Sequence, residues 1–202
     1  SRVEGLQRLR SRCVDAHIAY EQHGGYELFL AAHPALDRLD EVNTLLAPLF
    51  QGAPVFARCD EHIAPFRFGG AVQAMVRTPY EGTLNSGLMV QRLLALARGA
   101  DVDVRFGAAV TSIDEGRDVV HVHVASAVGT RVVRAGVVMV AVNGFMRDLM
   151  PHSDVVPGRG QIIVTEPIEG LPFRGSFHFD DGFWYFRNIG NRILFGGGRH
   201  LE

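Results

Sequence analysis

His121 and His123 stand two apart in a Val-His-Val-His-Val run, a spacing that puts both imidazoles on one face of a β-strand, where they could share a metal ion. No third ligand lies near them, so histidines facing solvent from a strand are the plainer reading and no metal site is assigned. His178, in Phe177-His-Phe-Asp-Asp181, sits with two carboxylates and reads either as a proton acceptor or as part of a loop leaving a sheet. No Ser/His/Asp or Cys/His pattern supports nucleophilic catalysis, and no catalytic residue is assigned.

Glycine and aromatic residues carry more of the signal. Three pieces, Gly158 to Pro167, Gly182 to Asn188 and Asn191 to Arg199, read as β-strands opened or closed by glycine. They are expected to set Trp184, Tyr185 and Phe186 in the middle of one sheet face, as a wall for a flat ligand or as ordinary core. Gly196-Gly-Gly198 lacks the Gly-x-Gly-x-x-Gly spacing of a phosphate loop and has no helix after it, so it reads as a place of close backbone approach. Arg199, next in the chain, is a candidate fork for a substrate carboxylate, or a surface arginine. Ala141 and Gly144, small residues flanking Asn143 at the end of an apolar run, would let backbone approach a nucleotide, or simply form a strand-to-helix turn.

The elements that must position these residues follow from periodicity. Helical spacing of apolar residues predicts helices over 3–17, from Pro34 to about Leu49, and from Ser86 to about Arg98. Leu88, Met89, Leu93, Leu96 and Ala97 would form the buried face of the last. Strands are predicted at Tyr26 to Leu30 and Val72 to Arg77, then in a meander at 102–106, 109–114, 119–125 and 130–134. Gly136 to Val142, apolar at successive positions, suits a strand buried on both faces. Strands at 155–165, 174–179, 183–187 and 192–196 predict an antiparallel or mixed sheet.

Composition bounds the rest. A chain of 202 residues with 47% apolar and 21% charged residues is globular, with material for one or two domains. A net charge of −2 gives no electrostatic footprint for nucleic acid or an anionic membrane, and all 20 basic residues are scattered arginines. No apolar run approaches the roughly 18 residues of a membrane span. Two cysteines, Cys13 and Cys59, without Cys-x-x-Cys spacing point to a reducing compartment, with the cytoplasm as the default. Leu201-Glu202 reads as a cloning remnant.

In order and spacing, Gly82-Thr-Leu-Asn-Ser-Gly-Leu-Met89, Val104-Arg-Phe-Gly-Ala-Ala-Val110, Val138-Met-Val-Ala-Val-Asn-Gly144, Arg159-Gly-Gln161 and Arg192-Ile-Leu-Phe-Gly-Gly-Gly198 resemble the FAD-dependent D-amino-acid oxidase family, which includes glycine oxidase, sarcosine oxidase and gamma-glutamylputrescine oxidase. The resemblance covers most of residues 76–199. It implies an α+β fold: a mixed, largely antiparallel substrate-domain sheet flanked by helices (1–85 and 150–200), plus part of an α/β FAD-binding domain with a β-meander (86–149). It implies FAD as cofactor, with Val110, Ala141, Asn143 and Gly144 along its adenosine and pyrophosphate, and Trp184, Tyr185 and Arg199 toward the substrate. The reaction implied is oxidation of a C–N bond of an amine or amino acid by hydride transfer to flavin. Members begin with a strand and Gly-x-Gly-x-x-Gly and end with a second glycine-rich segment; this chain has neither, so on its own it is expected to be inactive and to lack FAD. A β-rich binding module without flavin, and an FAD-dependent 2-hydroxy acid oxidoreductase, stand as alternatives. The oligomeric state is open.

Overall fold

A computed structural model describes residues 2–15 and 17–198. The helices are α1 (Arg2–Asp15), α2 (Leu39–Leu46), α3 (Ser86–Gly99) and α4 (Met146–Leu149). The strands in chain order are β1 (Tyr20–Glu21), β2 (Gly25–Phe29), β3 (Ala57–Arg58), β4 (Ala74–Thr78), β5 (Thr83–Leu84), β6 (Ala108–Glu115), β7 (Val120–Ser126), β8 (Gly129–Ala135), β9 (Ile162–Val164), β10 (Ser176–Phe179), β11 (Trp184–Ile189) and β12 (Arg192–Gly197). The fold is α+β with open, largely antiparallel sheets, as the sequence led us to expect. Contacts divide the chain into two compact units, residues 1–96 with 160–202 and residues 97–159.

The first unit is built on a seven-stranded sheet of order β3-β4-β2-β10-β11-β12-β9, antiparallel except where β10 runs parallel to β2. Its register carries two neighbouring rows across all seven strands. One is Ala57, Arg77, Tyr26, Phe177, Phe186, Phe195 and Ile163; the other is Arg58, Val76, Glu27, His178, Tyr185, Gly196 and Ile162. Because successive side chains point to opposite faces, the two rows lie on opposite sides of the sheet.

The middle of the first row makes the core. Phe177, with no exposed surface, stacks between Tyr26 and Phe186 at ring separations of 4.8 Å on each side. Phe66, Phe68 and Phe173 close over this column edge-on, and Met75 and Cys59 complete the cluster. Aromatic rings dominate because each buries a large apolar area and edge-to-face packing adds to the gain. Asn43 on α2 ties the 47–56 loop down: its Oδ1 accepts from the Val55 and Phe56 amides and its Nδ2 donates to the Phe56 carbonyl. A second cluster joins Cys13 and Ile18 to Leu9, Tyr20, Leu84 and Met89.

The second unit holds the antiparallel meander β6-β7-β8. Asn143–Phe145 forms a 3-10 turn leading into α4, which lies alongside β6.

Several expectations need correction. Residues 102–106 are not a strand: Phe106 is exposed, and Gly107, at φ 65°, turns the chain into β6. Residues 137–142, expected to be a strand buried on both faces, are irregular, with Val137 and Met139 88% and 89% exposed. An interior strand exists only where a ladder flanks it, and among the described residues no strand pairs with this run. On α3, Met89 packs inward, but Leu88, Leu93 and Leu96 are exposed. The helix expected to Leu49 is α2 flanked by 3-10 turns at Pro34–Arg38 and Ala47–Leu49, with Pro48 inside the second. The strand expected at 155–165 shortens to β9, since Pro157, Gly158 and Gly160 interrupt the ladder before it. Trp184, Tyr185 and Phe186 do not share a face: Tyr185 points away from its two neighbours because the side-chain period is two.

Phe177→Ala should cost about 3–5 kcal/mol of stability, read from the denaturant midpoint, because it empties the middle of the aromatic column. Val128→Ala, at an 81% exposed position, should change stability by less than about 0.5 kcal/mol.

Candidate functional site

On the face opposite the aromatic column the seven-stranded sheet carries a row of polar residues. Glu27, His178 and Tyr185, all half-buried, are successive members of one row on β2, β10 and β11. The next member is Gly196, and its lack of a side chain has a specific use. A Cβ there would stand 2.8 Å from both Cζ and the hydroxyl of Tyr185 and 2.9 Å from Ile162. The phenol therefore lies down on the β12 backbone, which fixes the height of its hydroxyl above the sheet.

Trp184 uses the neighbouring glycines on the opposite face. A Cβ at Gly198 would meet its indole at 2.7 Å, and the indole stacks on Phe195 at 5.5 Å. The three glycines thus seat Tyr185 on one side of β12 and Trp184 on the other. Of the candidates toward substrate, Tyr185 and Trp184 are separated by the sheet, and Arg199 lies outside the described residues.

Two residues that sequence reasoning passed over join this face. Arg187 shares the Tyr185 side of β11; its Nη1 donates to the Leu84 carbonyl at 3.0 Å, and it borders a cleft of about 290 Å³ with Asn85 and Ser86. The signal was the Tyr-x-Arg spacing, which places both on one strand face. Glu27 borders another cleft, of about 430 Å³, at the carboxyl ends of β2 and β10, walled by Phe29, Phe179 and Trp184 and edged by His33, Asp180 and Asp181. Burial, then the charges of Asp181 and Glu81, push the Glu27 carboxyl up to about 7. Its signal was a lone carboxylate in the apolar strand Gly-Tyr-Glu-Leu-Phe. Around it, Glu81 accepts from the Ser176 hydroxyl at 2.9 Å, and His33 Nε2 lies 3.6 Å from Asp181.

His178 is in the strand rather than in a loop leaving it. His121 and His123 share a face of β7, and His123 Nε2 lies 2.7 Å from Asp114. Among the described residues no group of three or more His, Cys, Asp or Glu could hold a metal ion.

The candidates for cofactor contact all fall in the second unit. Val110 is exposed at a β-bulge between β6 and β7 and borders a cleft of about 770 Å³ with Phe106, Val124 and Val133. Ala141 and Asn143 are exposed, and Asn143 takes a left-handed φ of 51°. At Gly144 a Cβ would stand 3.1 Å from Pro157, so the absence of a side chain lets the turn close on that ring. The 3-10 turn carrying Asn143 and Gly144 runs into α4 beside β6, so the structure gathers these candidates into one unit, with Val110 on the strand that α4 flanks.

Among solved structures, glycine oxidase from Geobacillus kaustophilus aligns with a TM-score of 0.75 at 15% identity, over 96% of this chain and 54% of that one. L-proline dehydrogenase from P. horikoshii aligns at 0.70 and 13% identity, over 96% and 53%, and L-amino acid deaminase from Proteus myxofaciens at 0.70 and 18%, over 96% and 45%. The chain therefore shares their fold and spans about half their length. No curated protein matches it. The family model described as FAD dependent oxidoreductase matches residues 2–202, and the chain belongs to that family, named DAO.

Proposed function

We propose that the whole protein oxidises a C–N bond of an amine or amino acid, with residues 1–85 and 150–200 forming its substrate-binding domain and 86–149 part of its FAD-binding domain. One observation carries the substrate half: Tyr185 is laid on Gly196 on the polar face of the sheet, with Arg187 beside it on the same strand. A phenol hydroxyl and a guanidinium on one face can hold the carboxylate or amine of a small substrate while the sheet keeps them rigid. The neighbours named for glycine oxidase, proline dehydrogenase and amino acid deaminase activities support nitrogen-bearing substrates over 2-hydroxy acids.

The residues of the second unit fit the adenosine end of FAD. Residues 137–142 give an apolar run outside any ladder among the described residues, exposed at Val137, Met139 and Ala141, and leading to a turn where Gly144 leaves little room for a side chain against Pro157. Ala141, Asn143 and Gly144 would hold the pyrophosphate and ribose, and Val110 the adenine. When bound, FAD supplies the acceptor for the hydride leaving the carbon that bears nitrogen. The chain's own part is to orient that carbon and exclude water, which asks for no dedicated general base. The two buried free cysteines accord with a cytoplasmic location. No described helix is long and apolar enough to cross a membrane.

The full-length protein should bind flavin, absorbing at about 450 nm. Tyr185→Phe should raise KM for the amine by about 3–10-fold and leave flavin content unchanged; an unaltered KM removes Tyr185 from the site. Gly196→Ala, which tilts the phenol off the β12 backbone, should lower kcat/KM more than Tyr185→Phe does, whereas an equal or smaller loss would mean that ring height is immaterial.

A further inference from the structure

Glu27 is the feature of this sheet that substrate oxidation leaves unexplained. It is a half-buried carboxylate on the Tyr185 face, and among the described residues no hydrogen bond or ion pair engages it. The groups that face it do not neutralise it. Asp181 and Glu81 add negative charge, Asp180 and His33 line the same cleft with His33 Nε2 3.6 Å from Asp181, and Val76 is the partner of Glu27 on β4. His178 is its partner on β10, and Arg58, beyond Val76 in the same row, is held by Asp60 at 2.6 Å. A carboxylate that has lost water and gained only like charge is destabilising unless a cation completes it.

The surroundings say what kind of cation fits. The cleft beside Glu27, about 430 Å³, lies past the carboxyl ends of β2 and β10, with Phe29 on the Glu27 face of the sheet and Phe179 and Trp184 on the other, and these rings suit methylenes and an ammonium rather than a hydrated metal ion. Its place relative to Tyr185 is set by register: Glu27 and Tyr185 are separated by one residue, His178, hence by two inter-strand spacings of about 4.8 Å. Because the phenol lies over Gly196 on β12, its hydroxyl stands about one further spacing from Glu27, so a substrate whose reacting end hydrogen-bonds to Tyr185 reaches Glu27 with a group about 9 Å from that end once the two hydrogen bonds are allowed for.

We propose that Glu27 is a specificity-determining residue that receives a second, distal ammonium group, so that the preferred substrates are diamines or amino acids with a cationic side chain. This rests on the assignment of Tyr185 to the substrate site. The carboxyl ionises as pH rises through about 7, so the preference should be present above that pH and fade below it, where Glu27 is protonated. Ionisation without a cation destabilises the empty protein in the same range: the folded carboxyl holds its proton to higher pH than the unfolded one, so stability is lost as pH rises from the ordinary carboxylate range through about 7. Glu27→Gln removes that loss.

The test uses the flavin-loaded full-length protein and two matched pairs, 1,6-diaminohexane against hexylamine and lysine against norleucine. At pH 8 the wild type should favour the dicationic member of a pair, and Glu27→Gln should cut that kcat/KM ratio by about tenfold or more, with the change in KM. The variant should melt no lower than the wild type at pH 8. Should it fail to fold, the wild-type ratio decides alone, since it must fall as pH drops from 8 to 6. A ratio that is flat with pH, or unchanged by Glu27→Gln, overturns the role of Glu27 and leaves amine oxidation standing. Turnover of 2-hydroxy acids with none of the four amines overturns the C–N assignment and this inference together.

Discussion

The structure depends on the alternation of side chains across a seven-stranded sheet held in one register. A single-residue offset separates a row of rings, Tyr26, Phe177, Phe186 and Phe195, from the row Glu27, His178, Tyr185 and Gly196. The ring row is held by stacking at 4.8 Å around a fully buried Phe177. Since a slip of one residue would send every ring to the polar face and every polar group into the core, burial of the rings also fixes where Glu27 and Tyr185 stand. Core and proposed site are two faces of one constraint.

The glycines of β12 refine that placement. A tyrosine on an ordinary strand would stand up from the sheet; over Gly196 it lies down, and Trp184 lies against Gly198 on the other side. Under the proposed function rigidity matters, because substrate alignment would be the protein's main contribution when the cofactor carries the chemistry. In the second unit, exposure replaces rigidity as the telling feature. Val137 and Met139 stand nearly bare at the start of the run that leads to Asn143 and Gly144, as surface that a ligand or neighbouring chain would cover.

Much of the fold was legible because its signals are local. Helix α1, the start of α3 after Asn85, whose side chain accepts from the Leu88 amide, and the hairpin β11-β12 around Gly190 follow from spacing and turn residues. Most of what failed depends on a partner far along the chain. The run 137–142 has the composition of an interior strand, yet composition cannot report that no strand lies beside it. Leu88, Leu93 and Leu96 have helical spacing, which says a face is apolar and not that it is covered. Glu27 was missed because one carboxylate in an apolar strand gains meaning only from Asp181 and Glu81, distant in sequence, and from its row with Tyr185. Trp184 and Tyr185 were grouped by adjacency, although period two places them on opposite sides.

Anaerobic mixing of the full-length, flavin-loaded protein with amines, amino acids and 2-hydroxy acids, followed by the loss of flavin absorbance at about 450 nm, tests the central claim most directly. Rapid bleaching by nitrogen-bearing substrates, slowed when Tyr185 is replaced, is the result predicted. Bleaching by 2-hydroxy acids alone, or bleaching by amines at the same rate whatever stands at position 185, would contradict it.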